Sequence, residues 1–68
     1  QKEAPDYYPA YRGAKTTLYT ALTSMGIDGG FAHRRKIATA NRISGYVGTA
    51  TQNTGLYNLL VAGLLKRA

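Results

Sequence analysis

The residues able to do chemistry in this chain crowd into positions 31–58. His33, Arg34, Arg35 and Lys36 share one helical turn, and Asn41, Arg42, Tyr46, Gln52 and Asn53 follow. Guanidinium forks match carboxylates and phosphates. Tyrosine offers a flat apolar ring with a polar tip, and side-chain amides both donate and accept. That set suits a grip on a polar, anionic polymer. It does not suit bond cleavage, which needs paired carboxylates or a nucleophile with a base and an orienting group. From Ala10 onward there is one carboxylate, Asp28, and one imidazole, His33. Asp28 reads as a helix N-cap. A single His without Cys makes no zinc site. Gly26, Gly29 and Gly30 lack the Lys-Ser/Thr ending of a phosphate loop. Neither catalysis, nor a metal, nor a cofactor is expected of this chain.

Charge points the same way. The 68 residues carry a net charge of +6, and from Ala10 on eight Lys or Arg face one acid. A compact body with that excess attracts anions through its summed field. Nucleic acid, teichoic acid, peptidoglycan carboxylates and anionic lipid all qualify. The opening Gln1–Asp6 is polar and has no apolar signal core. Because it starts without Met, the chain is expected to be a piece of a longer protein. The most apolar run, Leu56–Leu65, is too short to span a bilayer, so no membrane insertion is expected.

Three elements are expected to position these groups. A first helix is read at residues 15–25, where Leu18, Leu22 and Met25 share a face and Gly26 is a natural stop. Its threonines at 16, 17, 20 and 23 are mediocre helix formers. A second helix is read at 30–41, capped by Asp28, with Phe31, Ile37, Ala38 and Ala40 turned inward. Residues 42–48 read as a loop with a short extended piece at Ile43–Val47. The third helix starts at a cap on Thr49 or Thr51. It carries Leu56, Leu59, Leu60, Gly63 and Leu64 as an i, i+3, i+4, i+7, i+8 stripe, and Lys66 and Arg67 close it. Phe31, Ile37, Leu56, Leu59, Leu60 and Leu64 are the expected core. The predicted fold is all-α, a small three-helix bundle over residues 11–68 behind a linker at 1–10. A small α+β fold is the alternative, but its one strand would have nothing to pair with. Pro5 and Pro9 mark the linker, and Tyr7, Tyr8 and Tyr11 are placed to pack back onto the body.

From Tyr11 on, the chain resembles the small cell-wall-binding modules attached to endolysins and autolysins of Gram-positive bacteria and their phages. The opening Tyr11-Arg12-Gly13 matches their Tyr-x-Gly start. Leu18, Ala21, Leu22, Ser24, Gly26, Ile27 and Asp28 match the first-helix pattern. Phe31, Arg34, Lys36, Ile37, Ala38, Ala40, Asn41 and Ile43 match the second element. The third is matched from Tyr46, Gly48 and Thr49 through Gln52, Asn53 and Leu56 to Gly63 and Leu64. The pattern has Gly after the asparagine, where this chain has Arg42, which replaces a permissive turn residue with a cation. The resemblance implies a non-catalytic targeting module. It would hold an attached lytic domain against peptidoglycan or another anionic wall polymer, outside the cell.

On that reading Arg34, Arg35 and Tyr46 are the first candidates for wall contact, followed by Asn41, Gln52 and Asn53. Each also has a structural role open to it. The arginines suit a solvated face and Tyr46 suits packing. Asn41 suits a helix C-cap, and Gln52 and Asn53 suit a helix start. The competing function is a basic nucleic-acid-binding domain of helix-turn-helix type. Against it, the third helix, which would enter the groove, has no Lys or Arg in its middle. A membrane-active peptide fits the charge and the Leu-rich end, but the Gly-rich loops and six tyrosines favour a folded module.

Overall fold

The computed structural model of the chain describes residues 6–68. Three helices follow one another: α1 over Leu18–Ser24, α2 over Phe31–Ala40 and α3 over Ala50–Ala62. Among the described residues there is no strand, so the fold is the all-helical one expected from the periodicity.

Each helix is shorter than its apolar pattern, for a local reason. In α1, Thr17 takes the N-cap and its hydroxyl accepts the Thr20 N–H at 3.2 Å. Lys15 and Thr16 are therefore left outside. Thr23 and Ser24 donate back to the Tyr19 and Ala21 carbonyls at 2.9 and 2.8 Å, which accommodates poor helix formers in the last turn. The cap of α2 is Gly30, not Asp28. Asp28 instead folds the turn before the helix: its Oδ1 accepts the Gly30 N–H at 2.9 Å, and its carbonyl accepts from His33 Nδ1 at 2.6 Å. In α3 the capping box is complete, with Thr49 and Gln52 each bonded to the other's backbone.

All three helices stop in the same way. An N–H just past the helix, three residues on after α1 and α2 and two after α3, returns to a carbonyl five residues back: Ile27 to Leu22 at 2.9 Å, Ile43 to Ala38 at 2.8 Å and Leu64 to Leu59 at 2.8 Å. The residue before each of those donors is left-handed, at φ 76° for Gly26, 66° for Arg42 and 76° for Gly63. Two of the three use Gly, which takes this conformation at no steric cost; Arg42 does not.

Leu22, Ile37, Leu56, Leu60 and Leu65 are the largest fully buried side chains, and Tyr8 and Tyr46 join them. α1 packs against α3. Two expected core residues are exposed instead. Phe31 is 48% exposed, because the inward face of α2 is carried by Ile37 and Ala38. Leu64 is 55% exposed, because the left-handed Gly63 ends the helical stripe and hands the buried place to Leu65. Lys66 and Arg67 consequently lie past the helix rather than closing it. They run beside the N-terminal segment. Tyr7 and Lys66 form an isolated antiparallel bridge, the Tyr8 N–H reaches Leu65 O at 2.8 Å, and the Arg67 N–H reaches Asp6 O at 2.7 Å. Residues 6–10, assigned to the linker from sequence, thus pack onto the body. Residues 1–5 of that linker lie outside the described residues.

Candidate functional site

Asn53 stands at the centre of the polar network that the sequence points to. It lies one turn into α3, where Thr49 fixes the helix start. Its Oδ1 accepts the Tyr46 hydroxyl proton in a short hydrogen bond and also faces Arg34 Nη1 at 3.4 Å. Its Nδ2 donates to Gly48 O at 3.3 Å. Tyr46 is buried and its ring lies 5.7 Å from that of Phe31. The exposed Phe31 therefore acts as a cover over Tyr46, and Gly48 fits beneath it: a Cβ there would meet the Phe31 ring at 3.3 Å. Three of the six candidates, Arg34, Tyr46 and Asn53, are brought together. Of these, Tyr46 is buried, while Arg34 and Asn53 are half-buried and line an open cleft.

The other three are separated. Asn41 is the C-cap residue of α2, and its amide clamps the C-terminal tail. It donates to Ile37 O at 2.7 Å and Lys66 O at 3.1 Å, and accepts the Lys66 N–H at 2.8 Å. Gln52 closes the loop before α3. Its Oε1 accepts the Val47 and Thr49 N–H groups at 2.9 and 3.3 Å, and its Nε2 donates to Gly45 O at 3.3 Å. Arg35 points to another face. It lines a shallow, mainly apolar groove of 650 Å³ with Phe31, Lys36 and Ala40. The six candidates do not form one outward patch, because Asn41 and Gln52 are tied to the backbone and Arg35 lines a different groove from Arg34.

Arg34 itself borders a second cleft of 480 Å³, lined by residues of α1, α2 and α3 and by the segment before α1. This is within the size range of small-ligand sites, about 300–1,000 Å³. Lys15 supplies a second cation, Tyr19 and Tyr57 supply rings, and Thr54 and Asn58 supply a hydroxyl and an amide; no lining residue is acidic. The guanidinium is held from two sides, by Asn53 and by the Phe31 ring, whose centroid lies 5.9 Å from Cζ. Its Nε is buried and has no hydrogen-bond partner. Tyr57 is half-buried, accepts the Thr16 N–H at 3.3 Å and packs against the Tyr11 ring at 6.1 Å. Sequence reasoning missed Lys15, Tyr19, Thr54, Tyr57 and Asn58 as site residues. A signal was there for three of them: with Asn53, the set Thr54, Tyr57 and Asn58 forms a polar stripe at helical spacing, beside the apolar one.

Among the described residues no group of three or more His, Cys, Asp or Glu comes together, and no helix is long and apolar enough to cross a membrane. Over 37 residues the chain is 54% identical to the L-alanyl-D-glutamate peptidase of Listeria phage A118. The similarity is to a phage lysin. It takes in 54% of this chain and 13% of that protein, so the chain corresponds to a small part of its relative's length. No family model matches the chain, and no solved structure matches it.

Proposed function

We propose that the chain is a non-catalytic cell-wall-binding module that targets an attached lytic domain to the Gram-positive wall. The observation that carries this reading is the 37-residue likeness to a phage peptidase. The peptidase's name specifies an L-alanyl-D-glutamate bond, and that bond belongs to peptidoglycan stems. A module attached to such an enzyme does useful work by holding it at its substrate, because tethering raises effective concentration without new chemistry. The fold supports the reading in kind. Its cationic cleft offers a fork, a second cation, rings and hydrogen-bonding groups, and nothing in it repels an anion. The partners are then peptidoglycan and the catalytic domain of the parent chain, at the bacterial cell wall.

Retention on purified sacculi tests this directly. The chain is mixed with sacculi stripped of teichoic acid, with unstripped sacculi, and with random duplex DNA. Retention on stripped sacculi without a gel shift on DNA is the expected result. A gel shift together with failure to bind either kind of sacculus would replace wall binding with nucleic-acid binding.

A further inference from the structure

We propose that the 480 Å³ cleft is a subsite for a free carboxylate of the peptidoglycan peptide stem, with Arg34 as its fork and Lys15 as its second cation. This deepens the wall-binding reading and rests on it.

The first argument is the state of Arg34. A buried guanidinium N–H without an acceptor is uncommon and calls for an explanation. The group is also prearranged. Asn53 takes Nη1, and Asn53 is itself fixed by Tyr46 and Gly48. Phe31 lies across the guanidinium. A fork held in place loses little rotamer freedom when a ligand arrives. Planar bidentate acceptors suit it best, and carboxylates are such acceptors.

The second argument is where the other cations are. A phosphodiester polymer is tracked by a row of cations. Here the basic turn of α2 divides: Arg34 serves the cleft with Lys15, while Arg35 and Lys36 line the separate groove beside Ala40. No continuous track results, so the site favours a local anionic group on a short branch. Its neighbours are Thr54, Asn58 and the Tyr57 ring. A hydroxyl and an amide suit peptide groups. The Tyr57 ring is already engaged by Tyr11 and is poorly placed as a sugar platform.

The test uses the isotope-labelled 68-residue chain and nuclear magnetic resonance titration. The probes are a soluble stem tetrapeptide with free carboxylates, the same peptide fully amidated, and poly(glycerol phosphate). Free stem should shift amides around Arg34, Lys15 and Asn58, and amidation should weaken binding at least tenfold. Arg34→Gln should lose at least tenfold for the free stem and bind both stems alike. Arg34→Lys should recover part of the loss, and Arg35→Gln should stay within twofold of the parent. Lys15→Gln lies at an exposed position, so it keeps the test open if an Arg34 variant is unstable; it should lose about threefold. Equal binding of free and amidated stems, no stem binding at all, or stronger binding of the glycerol phosphate polymer overturns the proposal. If stems fail while the chain is still retained on sacculi, the subsite falls and the wall-binding reading stands. If sacculi fail too, both fall.

Discussion

The segment from Asn41 to Asn53, a loop and the first turn of α3, and the cleft beside Arg34 are built from the same kinds of residue, namely amides, tyrosines and cations. In the loop the amides answer the backbone. Asn41, Gln52 and Asn53 between them contact the carbonyl or N–H groups of Ile37, Gly45, Val47, Gly48, Thr49 and Lys66. A segment with left-handed Gly45 and Gly48 and no ladder of its own leaves its polar backbone groups without regular partners, and these amides supply them. In the cleft the polar groups border open space, and among the described residues the buried side-chain donor that lacks a partner is Arg34 Nε. Residue type alone does not mark a binding surface. What marks it is hydrogen-bonding capacity that the fold leaves unused.

Substitutions can separate the two regions. Asn53→Ala should have the largest effect, because Asn53 belongs to both. Removing it strands the Tyr46 hydroxyl and Gly48 O and frees Arg34. A loss of about 2–3 kcal/mol in urea unfolding is expected, together with weaker wall binding in the fraction that stays folded. Asn41→Ala touches only the loop side. It should cost about 1–2 kcal/mol, by releasing the tail at Lys66, and leave retention on sacculi unchanged. Gln52→Ala removes half of the capping box and should cost about 1 kcal/mol, again without effect on binding. If Asn41 or Gln52 variants bound poorly while fully folded, the division between scaffold and site would be wrong.

The smallest expected effect carries the opposite sign. Arg42 ends α2 in the left-handed conformation that Gly26 and Gly63 adopt after α1 and α3. Arg42→Gly should therefore stabilise the chain by about 0.5–1 kcal/mol, read as a higher thermal midpoint. The gain is limited because glycine also frees the unfolded chain. Binding should not change, since Arg42 does not line the cleft. Destabilisation would mean that the Arg42 side chain holds something the backbone conformation does not explain.

Much of the fold was legible from residues 18–60. The pairs Leu18 with Leu22 and Leu56 with Leu60, and a threonine cap at 49 or 51 of which the structure uses Thr49, carry their information within one or two turns. The errors fell where tertiary contact decides. Phe31 is apolar and lies at a helical spacing from Ala38, yet it covers Tyr46 at the surface, because a cover was needed there and Ile37 already filled the interior. Leu64 continues the stripe of α3, but Gly63 turns the chain and buries Leu65. Asp28 looked like a cap and instead shapes the turn two residues earlier. In the site, Arg34 could be named from its place in the basic turn. That Arg35 would face another way follows from the 100° step between neighbours on a helix. Lys15 and Tyr19 could not be joined to Arg34 from sequence, because that neighbourhood exists only once α1, α2 and α3 come together around the cleft.

The most direct test of the account compares two double variants that remove the same charge. Lys15→Gln with Arg34→Gln and Arg35→Gln with Lys36→Gln each lower the net charge by two, so a general attraction to the wall falls equally in both. Retention on stripped sacculi is measured for each beside the parent chain at one ionic strength. The cleft pair should lose at least tenfold, and the groove pair should stay within about twofold of the parent. Equal losses would show that charge alone binds the wall, and a greater loss from the groove pair would place the contact on the wrong face.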